Sequence, residues 1–307
     1  MQQLLEENPL ILMEAAINER LRRSTDIRLH PDLVNAPLIY DPAGRAALAA
    51  IYTEYMDIAA AADIPLLLCT PTWRANRTRV QDSGVSHSIN VDAAEFMKDL
   101  RDSRRANGDT VKIGGMLACK NDCYEPAQGL TVSEAEQFHA WQVDQLALGD
   151  VDFALAETLP NVQEALGIAK AIETTGLPYI ISFVIARDGR VLDGTPLQDA
   201  VRLIDSETRR KPLGFMVNCA YPAFLCADAQ PVELFQRLIA YQANASSLDQ
   251  CDLDGATTLA ADSLSDWGDL MLDLNQTHGV RILGGCCGTD GAHLRYLIDN
   301  RQREPSA

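Results

Sequence analysis

Short apolar runs alternate along the chain with longer amphipathic stretches. Most of the short runs are apolar at nearly every position, so both faces of an extended segment would be buried. This pattern is typical of parallel strands that are covered on both sides. The runs that predict strands are 11–14, 65–70, 111–117, 153–158, 179–184, 214–219, 242–246 and 281–287.

The stretches between these runs show the spacing of three and four residues that amphipathic helices have. Thr131 and Glu134 stand where side chains would cap a helix start, and Gly176 stands where a helix would end. Helix-like segments also follow the third, fifth, sixth and last runs. The better-defined helices are predicted at 44–62, 131–148, 161–175 and 262–277.

About eight strand–helix alternations in one chain favour a (β/α)8 TIM barrel. A doubly wound open sheet would need a glycine-rich phosphate loop after an early strand, and the sequence contains no GxGxxG or Walker-type motif. No change of composition divides the chain, so we expect one domain over residues 1–307. We also expect the polar segments 73–90 and 119–131 to be long loops above the catalytic end of the barrel.

Composition narrows the range of partners. With 43 acidic and 26 basic residues, the net charge of −17 disfavours nucleic acid and anionic lipid. The first residues lack the pattern of a secretory signal and no apolar run reaches membrane-spanning length, so we expect a cytoplasmic protein without membrane contact. In that reducing compartment the eight cysteines favour metal binding or catalysis over disulfides.

Two adjacent cysteines, Cys286 and Cys287, are the sharpest local feature, and glycines flank them on both sides. Adjacent side chains of a regular strand point to opposite faces, so the backbone must twist if both thiolates are to bind one ion. The flanking glycines permit that twist. Cys219 ends another predicted strand, and strand C-termini of a barrel converge on one face. Three thiolates would leave one position of a tetrahedral zinc open for a thiol substrate, which zinc would deprotonate.

Other interpretations of the cysteines and histidines stay open. Cys119 and Cys123 are also spaced to chelate a metal, and Cys286 and Cys287 to form a strained vicinal disulfide. A single strand cysteine is commonly a small buried apolar side chain. The cysteines interpreted in that way are Cys69, Cys226 and Cys251. None of the histidines has metal-ligand spacing, and we expect them at the surface or as caps: His30, His87, His139, His278 and His293.

The segment 284–289, Gly-Gly-Cys-Cys-Gly-Thr, with Asn218 and Cys219 upstream, resembles the zinc signature of homocysteine S-methyltransferases. Residues 70–75 and 156–160 resemble motifs of that family at its second and fourth strands, so the resemblance covers nearly the whole chain. It implies a (β/α)8 barrel and a bound zinc ion. The implied ligands, catalytic through activation of the thiol, are Cys219, Cys286 and Cys287.

The resemblance also implies substrate-binding positions. Glu157 would bind the amino group of an amino-acid acceptor, and Trp73 would line the donor pocket, where an aromatic face attracts an onium group. Glu14, Thr72 and Asn244 stand at further positions that resemble substrate-binding segments of the family. The sequence departs from the family where Glu14 and two alanines replace Asp-Gly-Gly, and where Asn244 alone remains of Pro-Asn-Ser-Gly. Ion pairing of Glu157 and ordinary packing of Trp73 are the structural alternatives.

The resulting hypothesis is methyl transfer to the zinc-bound thiolate of homocysteine, which forms methionine. The donor would be an onium compound: S-methylmethionine, S-adenosylmethionine or a betaine-like molecule. The expected partners are therefore small molecules, a thiol acceptor and a methyl donor. Two alternatives stay open, namely methyl transfer to another thiol or selenol, and a zinc-binding barrel without catalysis.

Overall fold

The computed structural model describes residues 1–24, 26–104, 110–249, 253 and 259–302. The strands are β1 Ile11–Met13, β2 Leu66–Cys69, β3 Val111–Ala118, β4 Phe153–Leu159, β5 Tyr179–Phe183, β6 Gly214–Asn218, β7 Leu238–Ala243 and β8 Ile282–Gly285. Each strand pairs in parallel with the next, and β8 pairs with β1, which closes the sheet. The predicted (β/α)8 barrel is confirmed.

Helices connect most of the strands and cover the outside of the barrel. The α-helices of the described residues are α1 Gln2–Glu7, α2 Asn18–Arg22, α3 Pro42–Ala61, α4 Arg77–Ser83, α5 Ile89–Asp102, α6 Val132–Leu148, α7 Val162–Glu173, α8 Leu197–Glu207, α9 Leu264–Gln276 and α10 Gly291–Asn300. Thr131 and Glu134 form the predicted capping box of α6. Within the described ranges, every helix is too short or too polar to cross a membrane.

Two connections differ from the expectation based on sequence. The segment 73–90, expected to be a loop, contains α4 and the start of α5, because the Asn76 side chain accepts a hydrogen bond from the Arg79 backbone and caps a helix start. The connection from β6 to β7, expected to be helical, contains only short 3-10 helices. Pro222 and Pro231 stand at the starts of two of them and lack backbone donors.

The seventh strand lies at Leu238–Ala243, and the prediction of 242–246 was wrong. Apolar residues continue through both segments, so hydrophobic periodicity alone does not fix where the strand begins. Beyond the strand the N–H of Asn244 donates to the carbonyl of Ala220, and the N–H of Ala245 donates to the carbonyl of Cys287. The residues at the end of β7 therefore lie beside the end of β8.

Alternate strand positions fill the interior of the barrel. Leu5 of α1 packs against these side chains and closes the end of the barrel at which the strands begin. The other strand positions pack against the surrounding helices. Each large apolar side chain contributes about 1.5–3 kcal/mol by its burial. The interior positions on the strands are Ile11, Met13, Leu67, Cys69, Met116, Phe153, Leu155, Ile180, Met216, Ala240 and Ile282.

The buried carboxylate of Glu164 fixes the connection from β3 to α6. It accepts hydrogen bonds from the backbone N–H groups of Lys120 (2.8 Å) and Leu130 (3.1 Å), and it lies 3.0 Å from Nε2 of His139. His139 is fully buried. The expected surface or capping role was wrong for this histidine, because Glu164 supplies a partner inside the protein.

Glu164→Ala is expected to lower the free energy of unfolding by about 2–4 kcal/mol, since it leaves two backbone N–H groups and His139 without their partner. Denaturant unfolding followed by circular dichroism measures the change. Glu134→Ala, which removes an exposed carboxylate of the capping box, is the control and should show a clearly smaller loss. Equal losses for the two variants would contradict the role given to Glu164.

Candidate metal centre and substrate pocket

Two strand ends bring three cysteines together. Cys219 follows β6 with a left-handed backbone (φ +52°), and Cys286 and Cys287 follow β8. Their Sγ atoms all lie within 4.8 Å of one another, and those of Cys219 and Cys286 are 2.7 Å apart. Among the residues that the structure describes, no other three cysteine, histidine or carboxylate side chains meet this criterion, including any with Cys119 and Cys123.

The cysteines are free thiols throughout the described ranges, so neither a vicinal disulfide nor any other is formed there. Cys69 lies inside the barrel, as expected for a small apolar side chain, and Cys226 is half-buried outside the cluster. Cys251 lies outside the described residues. The three clustered thiols are therefore available as ligands.

Hydrogen bonds hold the cysteine pair in its bend. The N–H of Cys286 donates to the carbonyl of Ala243 (2.7 Å), and the N–H of Cys287 donates to Oδ1 of Asn244 (3.1 Å). Gly288 has φ +82°, a conformation that a side chain would strain. Because of this bend, both thiols face Cys219 although they are adjacent in sequence.

The cluster favours a negative charge on Cys287. Hydrogen bonds from the thiols of Cys219 and Cys286 hold the pKa of Cys287 well below its usual range, against the effect of burial. The hydrogen bonds with Cys219 and Cys287 raise the pKa of Cys286. One proton is therefore lost readily, whereas further thiolates need a cation to balance their charge.

A cavity of about 370 Å³ lies beside the cysteines at the C-terminal ends of the strands. Two nearly fully buried carboxylates line it: Glu14, directly after β1, and Glu157, on β4. Oε2 of Glu14 accepts a hydrogen bond from the N–H of Cys69 (2.7 Å). In the described part of the chain, no basic side chain lies within 4.0 Å of either carboxylate, so the structure does not support an ion pair for Glu157.

Burial controls the charge of both carboxyl groups. It raises the pKa of Glu157 to about 8, and the nearby Cys287 thiolate adds to the effect. Burial also raises the pKa of Glu14 well above its usual range, although the hydrogen bond from Cys69 acts in the opposite direction. A cation bound between the two groups would favour their ionised forms.

The other three residues predicted to bind substrate already contact other parts of the protein, and one of them does not line the cavity. Asn244 lines the cavity, but its Oδ1 holds the cysteine bend. Trp73 also lines the cavity, and the guanidinium carbon of Arg74 lies 4.2 Å from its ring centroid, so one cation of the chain already lies over this ring. Thr72 is fully buried and is not among the lining residues; its hydroxyl donates to the carbonyl of Met116 (2.6 Å).

Sequence reasoning missed several polar residues of the cavity. Gln242 is 4% exposed; its Nε2 donates to the carbonyl of Glu14 (3.1 Å), and its Oε1 has no partner. A strand predicted to begin at residue 242 places this side chain at the opposite end of the barrel. Asn218, which the sequence indicated only as part of the family resemblance, also lines the cavity. Its Oδ1 accepts hydrogen bonds from the N–H of Thr158 and the hydroxyl of Ser182. Further polar lining residues include Glu19, Arg22, Asp32, Arg74, Arg79, Asp122, Cys123 and Tyr124.

The stability of the metal-free protein is expected to fall as pH rises because of Glu157. The carboxyl pKa is 4.5 in the unfolded reference and about 8 in the folded protein, so between these values only the folded state keeps the proton. The loss is on the order of 1 kcal/mol per pH unit in that window. Denaturant unfolding of wild type and Glu157→Gln at several pH values measures it. As pH rises, the free energy of unfolding of wild type should fall relative to that of Glu157→Gln. A difference between the two proteins that does not change with pH would contradict the raised pKa.

The fold and the site together define a (β/α)8 barrel whose catalytic end carries three converging thiols and two buried carboxylates. A sequence profile of the homocysteine S-methyltransferase family matches residues 2–300. The chain belongs to this family.

Individual relatives share the similarity at low identity. Betaine–homocysteine S-methyltransferase 1 of Rattus norvegicus is 24% identical over 249 residues, which cover 74% of this chain and 56% of that protein. The chain therefore spans little more than half the length of that relative. The homocysteine S-methyltransferase YbgG of Bacillus subtilis is 23% identical over 315 residues, and the match covers 96% of each chain.

A solved structure confirms the fold. The homocysteine methyltransferase MmuM from Escherichia coli, in its metallated form, has a TM-score of 0.75 to this chain at 19% identity. The match covers 97% of this chain and 98% of that one. The two proteins therefore share the barrel fold over nearly their full length.

Proposed function

We propose that this protein is a zinc-dependent methyltransferase that transfers a methyl group from an onium donor to the thiolate of homocysteine and so forms methionine. The observation that carries the proposal is the convergence of Cys219, Cys286 and Cys287 beside a cavity with two buried carboxylates. Membership of the homocysteine S-methyltransferase family supports the choice of acceptor.

The cysteine cluster fits a zinc ion. Thiolates are soft ligands that favour zinc over magnesium or calcium. The three sulfur atoms lie within 4.8 Å of one another and can surround an ion at about 2.3 Å from each when the Cys219 and Cys286 sulfurs, 2.7 Å apart, separate. Three protein ligands leave one tetrahedral position for a substrate. When bound, zinc would supply the positive charge that keeps the acceptor sulfur deprotonated at neutral pH.

The buried oxygen atoms of the cavity suit the ammonium group of an amino-acid acceptor. Glu14, Glu157 and Oε1 of Gln242 all offer acceptors, and an ammonium group brings three N–H donors. Its charge offsets the repulsion between the two carboxylates and favours their ionisation. We therefore assign the amino group of the acceptor to this part of the cavity, with Glu157 as its main partner.

Methyl transfer then depends on alignment of the two substrates. The acceptor sulfur attacks the methyl carbon, and the bond from that carbon to the donor sulfur or nitrogen breaks. Its electron pair stays with the donor atom, which becomes neutral. Trp73 lines the cavity, and in this proposal its ring contacts the positive group of the donor. Asn244 and Thr72 have indirect roles in this proposal. Asn244 holds the backbone of Cys287, and Thr72 holds the backbone of Met116 on β3.

The test supplies zinc-loaded protein with deuterium-labelled homocysteine and, separately, S-methylmethionine, S-adenosylmethionine or glycine betaine. Mass spectrometry should detect labelled methionine with at least one donor, which identifies that donor. Chelation should stop the reaction, and added zinc should restore it. Zinc binding without labelled methionine from any donor would reject homocysteine as the acceptor, and would favour another thiol or selenol or a barrel without catalysis.

A further inference from the structure

Three arginines line the cavity from three separate segments: Arg22 at the end of α2, Arg74 after β2, and Arg79 in α4. Arg22 is exposed and the other two are half-buried, whereas Glu14 and Glu157 are almost fully buried. Its deep part presents two buried carboxylates. Its solvent side presents the three guanidinium groups together with the less buried carboxylates of Glu19, Asp32 and Asp122.

In the described part of the chain, none of these three guanidinium groups forms a direct ion pair with a carboxylate. The sequence has 43 acidic residues, yet among the described residues no carboxylate lies within 4.0 Å of Arg22, Arg74 or Arg79. By contrast, Arg20 of the same helix α2 forms an ion pair with Glu54 at 2.8 Å. Guanidinium groups at the opening of a cavity that lack a direct carboxylate partner are suited to pair with an anionic group of a ligand.

Backbone carbonyls orient two of these side chains without balancing their charge. Nη1 of Arg74 donates to the carbonyl of Asn121 (2.5 Å), and Nη1 of Arg79 donates to the carbonyl of Asp32 (3.1 Å). A guanidinium group has five N–H donors, so each keeps donors for a further acceptor. Burial and then the charge of Arg74 lower the pKa of Arg79, and the charge of Asp32 acts in the opposite direction.

We propose that Arg22, Arg74 and Arg79 form a carboxylate subsite for the substrates of this cavity. A planar guanidinium matches a carboxylate in two parallel hydrogen bonds, and an anion here relieves the repulsion between the arginines. The inference rests on the proposed function, since homocysteine and the donors considered all carry a carboxylate. An amino acid whose ammonium group binds Glu157 would then direct its carboxylate toward the arginines on the solvent side of the cavity.

The test uses the zinc-loaded double variant Arg22→Gln/Arg79→Gln. Arg74 is left intact because it also packs on Trp73 and holds Asn121. The control is Arg77→Gln, an exposed arginine of the same helix α4 that does not line the cavity. Calorimetry measures Kd for homocysteine and for 3-aminopropane-1-thiol, which lacks the carboxylate. Kinetics measure KM for S-methylmethionine and for (3-aminopropyl)dimethylsulfonium in the same way.

Each outcome decides a different point. A rise of about tenfold in Kd for homocysteine, with no change for the aminothiol, assigns the subsite to the acceptor carboxylate. A rise of similar size in KM for S-methylmethionine alone assigns it to the donor. Equal losses for compounds with and without a carboxylate, no loss at all, or the same loss in Arg77→Gln would overturn the inference. If wild type forms no methionine, the proposed function fails, and the calorimetric comparison still decides the subsite.

Discussion

Cys286→Ala is expected to abolish metal binding and to lower methyl transfer by at least about 10³-fold. Cys219 and Cys287 alone offer two thiolates, too few for a stable zinc site with an open position. Without the cation, the acceptor thiol stays largely protonated and is a poor nucleophile. The fold should persist, because Cys286 is half-buried and its backbone bond to Ala243 is unaffected by the change.

Zinc content by plasma mass spectrometry and methionine formation are measured on the same freshly reduced samples. Cys226→Ala is the matched control, since Cys226 is also half-buried but lies outside the cluster. It should keep both zinc and activity. A Cys286→Ala protein that binds zinc as wild type does and remains active would remove Cys286 from the metal centre.

Glu157→Gln should have the second largest effect, a rise of about 10- to 100-fold in Kd for homocysteine. The substitution keeps the size of the side chain and removes the charge that we assign to the substrate ammonium group. Zinc content should not change, because the carboxylate is not one of the clustered ligands. The loss should therefore appear in binding of the acceptor rather than in assembly of the site.

Calorimetry with two acceptors separates this role from general damage. Homocysteine carries the amino group, and 4-sulfanylbutanoate lacks it. Glu157→Gln should weaken binding of homocysteine and leave binding of the deamino compound nearly unchanged. If both compounds bind more weakly by the same factor, Glu157 does not interact with the amino group.

The barrel could be predicted from sequence because its strands are buried on both sides and its helices are amphipathic, so the two hydrophobic patterns alternate clearly. The convergence of the three cysteines followed from the same fact. Strand ends of a parallel barrel meet at one face, and Cys219 and Cys286 stand directly after β6 and β8. Glycines beside the cysteine pair indicated the bend that the structure shows.

Other features depend on three-dimensional contacts that no local pattern encodes. The start of β7 could not be fixed from a continuous apolar run, and Gln242 was therefore not recognised as a cavity residue. The burial of His139 depends on Glu164, which lies 25 positions away in sequence. Arg22 and Arg79 meet at the cavity only because α2 and α4 follow neighbouring strands of the closed barrel.

Zinc X-ray absorption of the freshly reduced protein, before and after addition of homocysteine, tests the metal-activated thiol most directly. We predict about one zinc per chain with three sulfur neighbours at about 2.3 Å, and a fourth sulfur when homocysteine is added. Protein that takes up no zinc, or a zinc shell that homocysteine leaves unchanged, would contradict activation of the acceptor at this centre.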